Sequence, residues 1–338
     1  MNNYYVIKYL DQRRWAEFVS NHSQGNIFQT PEMFDVFRAT KNNEPVLTAL
    51  LDKKNNVIEG LSVSLIQREY SGAAGRLTAR AIIQGGPLMR ENNREKELTG
   101  LLLRHYNREI KRKAIYSQYR NFWEQADSIP VFREHGYTYE EHLNLHIDLT
   151  KSEEQLWREV SSKRRNEIRR AKKEGTTVKE LTRETEIKEA YEILKEVYSR
   201  ARLPLHDRSL FNAAYDILFP KGNIKFFGAF YEKKLIGVIV VLCYKDRVYD
   251  WYAGSRREYY KKYPNDLLPW EVFLWAKKAG YKLFDFGGAG KPGVPYGVRD
   301  YKKQYGGSFV NFGRHEKVHK PLLMKAAKLG LKLWQKIK

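Results

Sequence analysis

The chain is nearly free of cysteine: Cys243 is the single one in 338 residues, so no internal disulfide can form. It lies in the apolar run 238–243, where a small buried thiol is expected in preference to a reactive one. Long apolar runs are also missing. The opening Met1-Asn2-Asn3-Tyr4-Tyr5-Val6-Ile7-Lys8 has no apolar core of the kind a secretory signal needs, and nowhere do about 18 uncharged apolar residues follow one another. A cytoplasmic protein without a membrane span is therefore expected. The eight histidines, His135, His142 and His146 among them, show no HExxH or cysteine-paired spacing, so no metal is expected. Acid is scarce as well: 40 Asp and Glu against 61 Lys and Arg leave a net charge of +21. Such an excess implies a polyanionic partner, whether RNA, a phosphorylated carrier or an anionic membrane surface.

What is abundant is core material. Hydrophobic residues at 42% and aromatics at 14% exclude a disordered chain, and the length favours two domains over one. A weak internal repeat supports that count. Residues 46–51 and 57–66 flank the polar turn Asp52-Lys53-Lys54-Asn55-Asn56 as a strand hairpin, and residues 224–231 and 235–243 flank Glu232-Lys233-Lys234 in the same way. After each hairpin come a helical stretch (94–110; 266–279), a short strand (114–119; 282–286), a helical turn ending in glycine (129–136; 298–306) and a last strand (142–149; 308–313). Two copies of one α/β unit are expected, each a mixed sheet flanked by helices. Ser152 can cap a helix from Glu153, which puts the boundary near residue 150. The expected domains are thus 1–150 and 151–314, followed by a basic amphipathic helix within 315–338.

Several motifs carry a family resemblance. Tyr263-Pro264-Asn265-Asp266-Leu267-Leu268-Pro269-Trp270, then Phe284-Asp285-Phe286-Gly287-Gly288, then Tyr301-Lys302-Lys303-Gln304-Tyr305-Gly306-Gly307 resemble the FemABX-type peptidoglycan-bridge aminoacyltransferases. The basic stretch from Lys163 to Gly175 resembles the helix that opens their second domain. The resemblance implies two tandem GNAT acetyltransferase-like domains. It also implies transfer of an amino acid from aminoacyl-tRNA to an amine of a lipid-linked, pyrophosphate-bearing cell-wall precursor. The sequence departs from the family at two places: Phe37-Arg38 stand where an aromatic-lysine pair is usual, and Arg120-Asn121-Phe122 where an acidic residue follows the first-domain strand.

Amide formation needs a neutral amine, a proton acceptor and positive potential at the carbonyl oxygen. Lys302 suits the last task unless it is one more surface lysine, and Tyr301 adjoins it in the motif. Asp285 ends a strand before two glycines, where it can serve as base or simply cap the loop amides of Gly287 and Gly288. The glycine run 287–293 has Pro292 after Lys291 and so is no Walker loop; it is expected to cover substrate. Alternation on the third hairpin strand sends Asp250 and Tyr252 to one face and Tyr249 and Trp251 to the other, one pair facing core and one the cleft. Substrate contacts are expected from Asp250, Tyr252, Tyr305, Gly287, Gly288 and, through the family resemblance, Arg38, Arg202 and Arg208. Arg165, Arg169 and Lys172 share a helix face at i, i+4 and i+7 that can bind phosphates of tRNA or carrier.

The stretch 255–263 lacks the glycine turn that binds coenzyme A in ordinary GNAT enzymes, so no cofactor is expected and the charged tRNA serves as co-substrate. An N-acyltransferase using an acyl-coenzyme A thioester on an amino sugar or envelope glycan is the alternative. In the terminal segment, Leu322, Leu323, Ala326, Leu329, Leu333, Trp334 and Ile337 share one side of a lysine-rich helix, suited to an anionic bilayer surface at the cytoplasmic face or to packing on the protein.

Overall fold

The computed structural model describes residues 3–326, which fall into two compact units. In the first, the chain forms β1 (Tyr4–Ile7), β2 (Asn43–Asp52), β3 (Ile58–Gln67), β4 (Arg80–Gln84), β5 (Leu88–Met89), β6 (Tyr116–Arg120) and β7 (Thr138–Glu140). The second unit contains β8 (Leu143–Asp148), β9 (Thr177–Glu180), β10 (Ile224–Tyr231), β11 (Lys234–Tyr244), β12 (Arg247–Ser255), β13 (Leu283–Gly288) and β14 (Ser308–Asn311). A last strand, β15 (Arg314–Val318), returns to the first.

The repeat read in the sequence is present. Hairpin β2–β3 and hairpin β10–β11 are both antiparallel, and each sheet goes on to a parallel pair, β4 with β6 and β12 with β13. The helices after the hairpins span Glu95–Ile110 and Pro264–Lys278. The first buries Leu98, Leu102, Leu103, Tyr106 and Ile110 at helical spacing against its own sheet. The second buries Leu267, Leu268, Val272, Phe273 and Ala276, with Phe273 edge-on to Phe284 at 4.8 Å.

The domain boundary differs from the sequence expectation. Strand β8, read as the last strand of the first copy, lies in the second sheet between β13 and β14. Its place in the first sheet is taken by β15, which pairs with β6 and β7. The units are therefore 1–141 with 312–338, and 142–311, in place of a break at 150. A strand's alternating pattern states which face is buried but not which neighbour it pairs with. Residues 315–318, expected to fall in the terminal helical segment, belong to this extended strand; 321–326 are helical, and the remainder of that proposed helix lies outside the described residues. Ser152 does cap the helix Glu153–Glu159, through a reciprocal capping box with Gln155.

Candidate active site

The second unit gathers its chemistry where β12 and β13 run parallel, Tyr249 beside Asp285. Asp285 is 5% exposed, and its carboxylate is held on three sides. Oδ1 accepts the Gly287 N–H at 2.8 Å and the Asn144 amide at 3.4 Å, and Oδ2 lies 3.6 Å from His146 Nε2. Capping the glycine loop is thus an actual task of this side chain. Gly287 adopts φ +74°, a conformation that glycine reaches without strain, and its amide is consumed by Asp285.

Lys302 comes to the same place from the helix Gly297–Lys303. Its Nζ donates to the carbonyls of Phe286 and, at 3.1 Å, Gly288, which engages two of its three protons. Burial lowers its pKa, opposed by the charges of Asp250 and Asp285.

Asp250, on β12, completes the group. Its Oδ1 is buried with no hydrogen-bond partner among the described residues. Burial pushes its carboxyl up to about 6; Lys302 pulls the other way and Asp285 adds repulsion. Asp250 can therefore take a proton near neutral pH. Its charge also contributes, after burial, to raising the Tyr198 phenol to about 12.

The alternation expected along β12 fails at one step. Val240 faces Tyr252 and Val241 faces Asp250, so Trp251 is an extra residue in a bulge. As a result Trp251 and Tyr252 both lie by Phe211, at 6.0 and 4.9 Å between ring centroids, instead of on opposite faces. Tyr249 is in the core.

Other expected site residues have structural places. Tyr301 donates its hydroxyl to the Asn265 carbonyl at 2.6 Å, and Tyr305, 1% exposed, donates to the carbonyls of Asn265 at 2.8 Å and Asp266 at 3.0 Å. Tyr305 is sealed in the core and cannot touch a substrate. Over both rings lies the guanidinium of Arg164, 4.8 and 4.9 Å from their centroids. Arg164 is 5% exposed and pairs with Asp266 and with Glu167. This buried arginine, absent from the sequence-derived set, ties the helices Ser162–Lys173, Pro264–Lys278 and Gly297–Lys303 together behind Lys302. Its helical phase was the available signal, because Arg164 precedes the buried Ile168 and Ala171 by four and seven.

Of the three basic residues expected to meet phosphate, Arg165 donates to the carbonyls of Trp157 and Arg158, both at 3.1 Å, and so finishes the preceding helix. Lys172 pairs with Glu271 at 2.7 Å, and Arg169 lies over the Trp157 ring at 5.3 Å. Arg202, at φ +53°, is exposed on the loop that leads to the helix Arg208–Leu218, and Arg208, also exposed, is that helix's first residue. Arg38 belongs to the first unit, where it pairs with Asp35 at 2.9 Å. The loop expected to cover substrate is pinned by Arg299, which donates to the carbonyls of Lys291, at 2.7 Å, and Val294. Cys243 is buried and its thiol is pushed up to about 12, an inert state.

A coenzyme A pyrophosphate would need open amides at the start of the helix Pro264–Lys278. A 3-10 turn, Arg257–Lys262, leads into it, and amides around the junction are bonded locally: Tyr263 N–H donates to the Tyr260 carbonyl, and those of Asp266 and Leu267 to the Tyr263 carbonyl. The first helical turn also holds Asp266, itself neutralised by Arg164. No cluster spaced for a metal ion occurs among the described residues, and no described helix is long and apolar enough to cross a membrane.

Residues 162–303 match the acetyltransferase (GNAT) domain family. No curated protein matches the sequence. Among solved structures, FemX shares the fold at a TM-score of 0.71 and 15% identity, over 95% of this chain and 99% of its own. L-PGS from Bacillus licheniformis aligns at 0.58 and 13%, over 92% of each chain. A tandem GNAT protein from the clavulanic acid biosynthesis pathway aligns at 0.55 and 9%, over 94% of this chain and 98% of its own. The chain thus has the tandem GNAT fold read from its motifs, shared with FemX over nearly its full length.

Proposed function

We propose, from a GNAT acyltransferase domain within a FemX-like fold, that the chain is an aminoacyltransferase that forms amide bonds. The donor would be an aminoacyl-tRNA and the acceptor an amine on a lipid-linked cell-wall precursor. The observation that carries this reading is the grouping of Asp250, Lys302 and Asp285 where the parallel pairing of β12 and β13 stops. Above pH 6 the Asp250 carboxylate accepts a proton from the attacking amine as its nitrogen bonds to the ester carbonyl carbon. Lys302 supplies positive potential to the carbonyl oxygen as it becomes negative. Collapse of that adduct breaks the ester, and the departing ribose oxygen takes up the proton that Asp250 received from the amine. Asp285 holds the Gly287 turn, and the adjoining Phe286 and Gly288 carbonyls fix the ammonium.

The locally bonded amides of Tyr263, Asp266 and Leu267 favour this donor over a coenzyme A thioester. The GNAT match keeps the second reading, an acyl-coenzyme A N-acyltransferase acting on an amino sugar or envelope glycan. Incubating the protein with labelled aminoacyl-tRNAs and a lipid-carrier extract separates the two. Label appearing in a lipid-linked product, and lost in Asp250→Asn, supports the first. Coenzyme A release without tRNA consumption replaces it with the second.

A further inference from the structure

The registers of the first sheet bring the ends of five strands together. Asn43 at the start of β2 faces Gln67 at the end of β3, Gln67 faces Arg80 at the start of β4, Arg80 faces Tyr116 at the start of β6, and Tyr116 faces Val318 at the end of β15. The helix Glu95–Ile110 finishes here as well, since the Ile115 N–H that follows it donates to the Ala79 carbonyl at 2.8 Å. Lys8, just past β1, reaches the last turn of that helix, its Nζ 3.2 Å from Glu109. The backbone N–H groups of His319 and Lys320 donate to the Ile115 carbonyl, at 2.8 and 3.1 Å.

All the large apolar side chains that stay exposed among the described residues of the first unit lie at this end: Tyr9, Tyr70, Leu77, Val318 and Leu322. Tyr9 is 88% exposed and Leu322 82%, so neither is packed on the protein. Tyr70 and Leu77 stand in the β3–β4 connection, far in sequence from both. Scattered singly, such residues are ordinary on a protein surface; gathered at one end of one sheet, they mark a contact.

The same end is basic. Residues 104–113 hold five Lys and Arg, at 104, 108, 111, 112 and 113, against one acid, Glu109. Glu109 is held by Lys8 and Lys113, and Glu44, near the start of β2, by Lys113 and Arg68. Lys8, Arg108, Arg112 and Lys113 share one hollow, and Lys320 joins them, its Nζ donating to the Arg112 carbonyl at 3.3 Å. In the β3–β4 connection Glu69 stands against Arg68 and Arg76. Cations in the last turn suit the negative end of a helix. That accounts for Arg108 and not for the exposed apolar residues at the same end.

We propose that this end of the first unit docks on an anionic phospholipid bilayer. Tyr9, Tyr70, Leu77 and Leu322 enter the headgroup layer, where such side chains gain by leaving water, and the Lys and Arg around them face the lipid phosphates. The exposed apolar side chains decide for a bilayer over RNA, which is held by charge and stacked rings and makes no use of Leu77 or Leu322. The sequence placed membrane contact in the terminal segment alone, whereas this surface is built from four separated stretches of chain. It stands on the first unit and does not rest on the transfer reaction.

Co-sedimentation of the full chain with vesicles, of phosphatidylcholine alone and of phosphatidylcholine mixed with phosphatidylglycerol, tests it. Binding to the mixed vesicles that weakens with added salt is expected, with little binding to the neutral ones. Arg108→Gln with Arg112→Gln should weaken it about tenfold or more, and Tyr70→Ser with Leu77→Ser about tenfold. Neither pair lies in the terminal segment, and unchanged melting temperatures will show that the variants are folded. Absent binding to the mixed vesicles, equal binding to both kinds, or full binding by either double variant overturns the proposal. So does a single-stranded RNA oligonucleotide that binds where vesicles do not, with a loss in the arginine pair and none in the apolar pair, which would make this end an RNA surface.

Discussion

Asp250 and Lys302 carry opposite charges close enough to act on each other, yet burial moves both away from ordinary behaviour, the carboxyl up to about 6 and the ammonium down. Each is pushed toward its neutral form by the loss of water and pulled back by the other. With its carboxyl near 6, Asp250 can exchange a proton near neutral pH.

For Asp250 the sign is fixed by the direction of the shift. The folded protein binds this proton more tightly than the unfolded chain, so stability falls as pH rises from about 4 to about 6 and stays lower above that. Activity needs the opposite form and should rise through pH 6. Asp250→Asn should abolish that rise in kcat/KM while stabilising the fold at pH 7 by about 1–3 kcal/mol. Urea melts and a pH–rate profile measure the two. A variant that keeps the rise near pH 6 removes Asp250 from the chemistry.

Lys302→Ala should lower kcat by roughly 10²–10³-fold, the usual cost of losing one group that stabilises an oxyanion. Lys302→Arg should not restore it, because the Phe286 and Gly288 carbonyls accept from a compact ammonium and a planar guanidinium cannot replace it in the same cradle. Single-turnover rates decide this, and a fully active arginine variant would show that charge alone suffices.

Arg164→Met should destabilise the protein by about 3–5 kcal/mol, since it strands the Asp266 carboxylate in a buried position. Adding Asp266→Asn should recover part of that loss. If the double variant in denaturant titration is no better than the single, the cost lies in the packing on Tyr301 and Tyr305 and not in the stranded charge.

Gly307→Ala and Gly293→Ala make a matched pair. Both glycines have positive φ, +79° and +70°, but a methyl at 307 would collide with the His146 carbonyl while one at 293 meets open space. The first should cost about 2–4 kcal/mol and the second about 1 kcal/mol, readable as a difference in thermal midpoint. Equal losses would mean that the conformation alone, without the contact, sets the cost.

The repeated hairpins could be read from the sequence because apolar runs broken by short polar turns are local signals. Pairing is not local. Leu145 and Ile147 mark β8 as half-buried, but nothing near them says that its neighbours are β13 and β14, so Asn144 and His146 could not be assigned to Asp285. The glycines of the Tyr305-Gly306-Gly307 motif are explained by steric need: at positive φ, a methyl on either would collide, with Glu159 or with His146. Trp251 shows the limit of strict alternation, because one extra residue in a bulge turns Tyr252 to its side. Arg164 was legible in principle from helical phase, but seven basic residues in eleven obscured the one that points inward.

Strand β15 sits between β6 and β7, and it is reached only after the whole second unit has been made. During synthesis the portion begun first is therefore completed last, and until residue 318 leaves the ribosome β6 and β7 lack their shared neighbour. The order of translation and the order of folding run in opposite senses here. Any excised amino-terminal fragment would carry that open seam with it.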